Sequence, residues 1–311
     1  MARPHLWIRP GSIKYKQYLD LLKNHQKFKL KIDETISSMG DCSIRNLNSH
    51  IKSKYKYITS ETNKIPWIWK DIYPHDKDFL PSSHGSAAWE RVYNTDTIRH
   101  IVEYSFGIRD FDRFYKFDYN GKRLIADLIR SRIIYPDPKT ADVDVFDHIS
   151  CSKKVLEDTN ILFIVLGMTE AWESKSRNFS LASYPKNIGI EKQISFKNID
   201  FENNLKNLYS INDTIKKYNP DIKILLSVSP AHFNASFRSD IDVFSAGCAS
   251  KSILRAVVDK FVLENNNAMY FPMYEIVTMI TDLFGLKPYK DGHHISTDAE
   301  KMISSAFDSL Y

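Results

Sequence analysis

One cysteine of the chain stands where it could serve as a nucleophile. Cys42 follows a Gly-Asp pair, at the end of a short polar-apolar stretch and just before a segment with helical spacing at Ile44, Leu47 and Ile51. At a helix N-terminus the dipole and the backbone N–H groups stabilise a thiolate, and the same N–H groups can form part of an oxyanion hole. The sequence therefore predicts Cys42 as a nucleophile; the structural alternative is a small buried apolar residue.

A nucleophilic thiol needs a base, and the C-terminal region offers one. His294 lies just before a predicted C-terminal helix, and Asp291 precedes it by three residues. A histidine can take the proton of the nucleophile, and an aspartate can hold the imidazole in the required tautomer. Cys42, Asp291 and His294 are therefore predicted as a catalytic triad.

The other cysteines and the lengths of the apolar runs indicate the cellular location and argue against a structural metal site. Cys151 and Cys248 are far from each other and from Cys42, and no C-x-x-C pair occurs, so neither a zinc site nor a disulfide framework is predicted. Free thiols fit a reducing compartment. The first residues lack the apolar core of a signal peptide, and no apolar run is long enough to span a bilayer. We expect a cytoplasmic protein.

Composition excludes several classes of function. The 43 basic and 38 acidic residues give a net charge of +5, and the lysines are interspersed with acids rather than gathered on one stripe. No nucleic-acid partner is therefore predicted. Glycine occurs only 10 times and never as G-x-G, which removes the usual dinucleotide and phosphate loops. Nothing in the sequence specifies an oligomeric state.

The elements that must position these residues alternate between strand and helix. Continuous apolar strands are predicted at 161–166, 222–228 and 268–272, and helices at 201–218, 249–264 and 297–310. Strands that are apolar on both faces indicate a parallel sheet covered by helices on each side. We predict a three-layer α/β/α sandwich. In such folds the ligand lies at the carboxyl ends of the strands, so the candidate catalytic residues are expected to lie there.

The domain organisation is predicted to be simple. Residues 1–30 are basic and aromatic and form a helical lead-in. Residues 31–311 form a single α/β domain, interrupted at about 60–90 by an irregular insertion rich in proline and tryptophan. There is no internal repeat and no low-complexity linker.

Seven short blocks carry a resemblance to a known family. The blocks are residues 38–44 (SMGDCSI), 91–94 (RVYN), 166–172 (LGMTEAW), 227–230 (SVSP), 250–255 (SKSILR), 270–276 (YFPMYEI) and 291–294 (DGHH). On these blocks the chain resembles the GSCFA family, a branch of the SGNH (GDSL-like) hydrolase superfamily, over roughly residues 30–300.

The resemblance implies an SGNH-like α/β/α sandwich and ester chemistry. By this resemblance Cys42 takes the place of the nucleophile, and Asp291 and His294 complete the catalytic triad. Thr169 takes the place of an asparagine of the oxyanion hole. The remaining candidates for oxyanion or substrate binding are Asp41, Ser43, Gly167 and Asn94.

The chain departs from the family's pattern in two blocks. The name-giving motif is Gly-Ser-Cys-Phe-Ala, whereas here Asp41, Ser43 and Ile44 replace its Ser, Phe and Ala. The serine of that motif is lost and its cysteine is kept. Gly40-Asp41-Cys42 lines up with the Gly-Asp-Ser turn of the superfamily, so Cys42 is favoured, with Ser43 as the alternative nucleophile. The second block has Glu90 and Arg91 where a Gly-Asn pair is expected, which removes one expected oxyanion donor.

The function expected from these residues is ester hydrolysis through an acyl-enzyme, on an acylated small molecule or glycan. Two alternatives stay open. One is an acyltransferase of surface polysaccharide biosynthesis, with acyl-CoA as a candidate donor, because thioesters react readily with nucleophiles. The other is a non-catalytic module that binds a glycan or an acyl carrier. No other cofactor is expected.

Overall fold

A computed structural model of the protein describes residues 14–60, 85–89, 91–130, 132–185 and 188–311. Most of the predicted insertion, together with Glu90 and the first half of the lead-in, lies outside these residues. The described strands are β1 (Ile36–Gly40), β2 (Phe114–Tyr119), β3 (Lys122–Asp127), β4 (Ile134–Tyr135), β5 (Ile161–Leu166), β6 (Glu170–Ser174), β7 (Ile194–Asn198), β8 (Lys223–Val228) and β9 (Ala268–Tyr270).

Helices connect the strands. They are α1 (Tyr15–Asn24), α2 (Ile44–Lys54), α3 (Thr95–Ser105), α4 (Pro138–Asp158), α5 (Phe201–Tyr218), α6 (Val243–Glu264), α7 (Met273–Glu275), α8 (Thr281–Leu283) and α9 (Thr297–Asp308). A 3₁₀ turn occupies Glu191–Gln193, and a π-helical turn, Ile276–Ile280, joins α7 to α8.

A parallel four-stranded sheet forms the centre of the fold. Its order is β1-β5-β8-β9, and every pairing in it is parallel. Isolated parallel bridges from Ile36 to Tyr57 and from Gly40 to Arg91 extend the β1 edge. The strands end side by side, so the residues that follow β1, β5 and β8 meet at one edge of the sheet.

Helices cover both faces of this sheet. Along β5, Leu162, Ile164 and Leu166 pack into the core on one face, with α3, α5 and α6. Ile161, Phe163 and Val165 pack on the other face, with α2 and α9. This alternation is the period of two expected of a strand buried on both sides. The fold is a three-layer α/β/α sandwich with a parallel central sheet, as predicted.

The structure corrects some predicted boundaries. Helix α6 begins at Val243 rather than at 249, because the side chain of Asp242 caps it by accepting bonds from the backbone N–H groups of Phe244 and Ser245. Cys248 therefore lies inside the helix and not at its N-terminus. Helix α9 ends at Asp308 rather than at 310, and Ser296 caps its start by accepting the backbone N–H of Ala299.

Two smaller antiparallel sheets were not predicted, β2-β3-β4 and β6-β7. Their strands mix charged and apolar residues over only two to six positions, so the sequence pattern is weak. Among the helices that the structure describes, none is long and apolar enough to cross a membrane.

Candidate functional site

A sharp turn after β1 places Cys42 at the edge of the sheet. Gly40 has φ of 144°, and a Cβ at this position would lie 2.3 Å from the carbonyl oxygen of Val165, so only glycine fits. The Asp41 N–H donates to that same carbonyl at 3.1 Å. Helix α2 begins two residues after Cys42, and the carbonyl of Cys42 accepts from Arg45 N–H at 3.2 Å. Cys42 thus stands at a strand-to-helix turn, half-buried.

Asp41 is a buried carboxylate that supports this turn. Its Oδ1 accepts bonds from the Ser43 N–H at 2.8 Å and from the Ser229 hydroxyl at 2.7 Å. Burial raises the pKa of Asp41, but the Lys251 ammonium and the bonds from Ser229 and Ser43 outweigh it and hold that pKa below its ordinary value. The carboxylate is therefore ionised, and it ties the ends of β1 and β8 together.

Lys251 is the residue of this site that sequence analysis missed. It lies on α6, only 6% exposed, and its Nζ donates to the carbonyl of Gly167 at 2.5 Å. Burial lowers the pKa of Lys251 to about 8, against the opposing influence of Asp41 and Cys42. A signal existed in the sequence, because Lys251 shares the apolar stripe of α6 with Leu254 and Val258 at helical spacing.

Asp291 and His294 form the pair that the sequence predicts. The Oδ2 of Asp291 lies 2.7 Å from Nδ1 of His294, and its Oδ1 accepts the His294 backbone N–H at 2.7 Å. These bonds from His294 hold the pKa of Asp291 below its ordinary range. Because Nδ1 faces the carboxylate, Nε2 is the nitrogen left to exchange a proton with a reacting group.

The loop that carries this pair is fastened to the segment after β8. Nδ1 of His293 bonds to the His232 carbonyl at 2.8 Å, and Nδ1 of His232 bonds to the Gly292 carbonyl at 2.9 Å. The Tyr289 hydroxyl donates to the Pro230 carbonyl at 2.8 Å. These bonds hold the histidine loop at the carboxyl edge of the sheet, although it lies about 250 residues after Cys42 in the chain.

Cys42 and His294 line the same cavity, whose volume is about 800 Å³. Asp41, Ser43, Gly167 and Lys251 also line this cavity. Trp172 and Tyr184 contribute aromatic surface, with ring centroids 5.5 Å apart. Four more basic side chains line it as well, Arg45, Arg91, Arg132 and Lys290.

The structure brings some of the predicted oxyanion residues to the cavity and not others. Ser43 and Gly167 line it, but the Ser43 N–H donates to Asp41 and the Gly167 N–H donates to the Tyr93 carbonyl at 2.8 Å. Thr169 is buried outside the lining, and its hydroxyl donates to Oδ1 of Asn198 at 2.7 Å.

Asn94 also lies outside the cavity lining. Its side-chain oxygen caps α3 by accepting the Thr97 N–H at 2.9 Å. Asn94 therefore caps α3, and Thr169 bonds to β7. The predicted roles of these two residues in substrate binding gain no support from this geometry.

Metal chemistry was not predicted for this chain. Within the described ranges, no cluster of three or more histidine, cysteine, aspartate or glutamate side chains is arranged to hold a metal ion.

Comparison with known proteins identifies the family. The sequence model of the GSCFA family matches residues 35–307, which is most of the chain. The protein therefore belongs to the GSCFA family. No curated protein sequence matches it.

Proposed function

We propose that the protein is an SGNH-like ester hydrolase that acts through an acyl-enzyme on Cys42. The observation that carries the proposal is that Cys42, at a strand-to-helix turn, shares one cavity with the bonded pair Asp291–His294. A thiol, a base and an orienting carboxylate are the three components of a nucleophilic triad. Membership of the SGNH superfamily is part of this proposal, and the parallel α/β/α architecture supports it.

The proposed reaction has two steps. In the first, Sγ of Cys42 attacks the ester carbonyl, His294 takes the thiol proton, and the S–C bond forms. The C–O bond then breaks, and His294 passes that proton to the leaving alcohol. In the second step water attacks the thioester carbonyl and gives a proton to His294. The C–S bond then breaks, and His294 returns that proton to the sulfur of Cys42, which releases the carboxylic acid and restores the thiol. Asp291 stabilises the imidazolium throughout.

Cys42 is preferred over Ser43 as the nucleophile on the contacts of the two side chains. The Ser43 hydroxyl donates to the Ser229 hydroxyl oxygen at 3.2 Å, and Ser43 is only 9% exposed. Cys42 is more exposed, and its Sγ lies 4.0 Å from Oδ2 of Asp41. A thiol is also the stronger nucleophile near neutral pH.

Transfer to an acceptor hydroxyl is the second candidate function. It differs only in the second step, where a sugar hydroxyl replaces water. The basic side chains that line the cavity favour it, because Arg45, Arg91, Arg132 and Lys290 suit the phosphates of an acyl-CoA donor. The acyl group, the acceptor and a cytoplasmic location are predictions from the sequence.

The test is a search for the acyl-enzyme by intact mass. The protein is mixed with p-nitrophenyl acetate or with acetyl-CoA, quenched in acid, and mapped by peptide mass spectrometry. We expect one acetyl group on Cys42, absent in Cys42→Ala and retained in the matched variant Cys248→Ala. Acetylation of Ser43 would move the nucleophile by one residue. A protein that gains no acetyl group and releases no p-nitrophenol is the non-catalytic binding module.

A further inference from the structure

Lys251 is a charged side chain buried beside the proposed nucleophile, and the triad gives it no task. It is almost fully buried, with Nζ bonded to the Gly167 carbonyl and placed 5.6 Å from the ring centre of Phe233. Lysine is rarely buried unless it is paired. It lines the same cavity as Asp41 and Cys42, and Gly167, whose carbonyl it bonds, lies against the Asp41 carboxylate. The charges of Asp41 and Cys42 oppose the loss of a proton from Lys251.

The charge of Asp41 creates a difficulty for a thiolate at Cys42. The Asp41 carboxylate is ionised, and its Oδ2 lies 4.0 Å from Sγ. A like charge at that distance disfavours the thiolate, and burial disfavours it further. The turn therefore needs a positive charge if Cys42 is to ionise near neutral pH.

We propose that Lys251 is the positioning residue that supplies this charge, offsetting Asp41 and holding Cys42 ready to lose its proton. This rests on the proposed function, in which Cys42 is the nucleophile. Lys251 acts through Cys42 and does not itself touch the ester. Its ammonium lowers the free energy of moving the Sγ proton to His294, and the carbonyl of Gly167 fixes its position.

Other charged groups share the cavity but stand on different elements. Arg45 lies on α2, Arg91 lies beside β1, and His294 lies on the loop before α9. Each could also influence the thiol. The test therefore compares variants that change Lys251 and leave these three residues in place.

The experiment measures the rate of Cys42 alkylation by iodoacetamide between pH 5 and 10, with Cys151 and Cys248 as internal references. No ester is needed, so the result is independent of turnover. In Lys251→Met we expect the midpoint of the Cys42 rate profile to rise by at least about one pH unit. The matched control is Lys260→Met, an exposed lysine of the same helix, for which no shift is expected.

A second pair of variants covers the case in which Lys251→Met fails to fold. Asp41→Asn/Lys251→Met removes both buried charges together, so no charge is left unpaired. Asp41→Asn/Lys251→Arg keeps a positive charge that does not lose its proton in this pH range. The midpoint in the Met variant should lie at least about one unit above that in the Arg variant. Equal midpoints would mean that the charge at position 251 only neutralises Asp41, which overturns the proposal while ester hydrolysis can still stand. If the midpoint shifts in the Lys251 variants but the wild-type protein forms no acyl-enzyme, the role of Lys251 stands and the proposed function is refuted.

Discussion

The two halves of the candidate site are built in different ways. Asp41 and Lys251, on the Cys42 side, are 4% and 6% exposed and are fixed by bonds to strand-end residues. Asp291 and His294 have side chains that are 50% and 60% exposed, on a loop whose tip is Gly292 with φ of 79°. The Cys42 half belongs to the edge of the sheet, whereas the histidine half lies on an exposed loop that hydrogen bonds attach to that edge.

This difference separates stability from activity. A charge buried at the sheet edge cannot be removed without leaving its partners unsatisfied, so a change there should affect both the fold and the reaction. Water screens and solvates the exposed pair, so a change there should affect the reaction alone.

The largest effect is expected from removing the nucleophile. Cys42→Ala should lower the rate of aryl-ester hydrolysis by at least about 10³-fold, since no acyl-enzyme can form. Unfolding by urea should change little, because the side chain is small and only half-buried. Stopped-flow or plate assays of p-nitrophenol release measure the rate, with Cys248→Ala as the control. Undiminished turnover in Cys42→Ala would exclude the thiol as nucleophile.

The carboxylate at the sheet edge should matter to the fold. Asp41→Ala leaves the Ser43 N–H and the Ser229 hydroxyl without their charged acceptor and Lys251 without its counter-charge. We expect the free energy of unfolding to fall by about 3 kcal/mol. The matched variant is Asp291→Ala, which should leave the urea midpoint unchanged because that carboxylate is solvated. Equal losses in the two variants would show that the two halves do not differ in this way.

The exposed pair should matter to the reaction alone. His294→Ala should lower turnover by roughly 10²- to 10⁴-fold, the usual contribution of a general base, and Asp291→Asn should lower it by less. The melting temperature of both variants should stay at the wild-type value. His25→Ala, at the end of α1, is the control for loss of an imidazole away from the cavity. If both variants hydrolyse the ester at the wild-type rate, the base lies elsewhere.

The sequence predicted the fold more fully than the site. Continuous apolar strands with helices between them can be recognised from composition and length, and β5 and α5 lie where the sequence placed them. Asp291 and His294 were found because three residues of separation brings their side chains together. The helical spacing of Lys251 with Leu254 and Val258 could have indicated that Lys251 is buried. Its partner could not be found in this way, because the carbonyl of Gly167 is 84 residues away and comes near only in the folded chain.

The roles that the family resemblance implies for Thr169 and Asn94 gain no support from the hydrogen bonds of the folded chain. Thr169 does follow β5, but its hydroxyl bonds to Asn198 of β7, a strand that the sequence pattern did not reveal. Asn94 carried a readable signal, since asparagine is a favoured residue at the N-cap position that it occupies before α3. Proximity to a strand end brings a residue near the site, whereas its hydrogen bonds decide whether it can contact a ligand.

A smaller effect should come from one hydroxyl at the sheet edge. Ser229→Ala removes a bond to Asp41, which should cost about 1–2 kcal/mol at neutral pH. A carboxyl whose folded pKa is lowered adds stability above its ordinary value of 3.8 and loses that contribution as the pH falls. With one bond gone, that pKa rises toward its ordinary value. Acid unfolding of Ser229→Ala, followed by circular dichroism, should therefore begin at higher pH than in wild type.

The control for that variant lies two residues earlier in the chain, on β8. The Ser227 hydroxyl is buried and, within the described residues, makes no hydrogen bond. Ser227→Ala should therefore leave stability unchanged or raise it slightly. If Ser227→Ala and Ser229→Ala lose the same stability, the bond to Asp41 is not the cause.

The smallest effect is expected at the aromatic wall of the cavity, which Trp172 and Tyr184 form and which belongs to neither half of the site. Trp172 lines the cavity beside Phe237, with ring centroids 5.0 Å apart, and its buried Nε1 has no hydrogen-bond partner among the described residues. An unpaired buried donor is satisfied when a ligand oxygen accepts from it. Trp172→Phe keeps an aromatic ring and removes the donor, so KM should rise about two- to tenfold with kcat unchanged for a substrate with an oxygen at that position. The comparison is between p-nitrophenyl acetate and an acetylated sugar. A rise in KM for the sugar alone would place its hydroxyls against Trp172, whereas an unchanged KM for both would assign this wall to apolar contact with the acyl group.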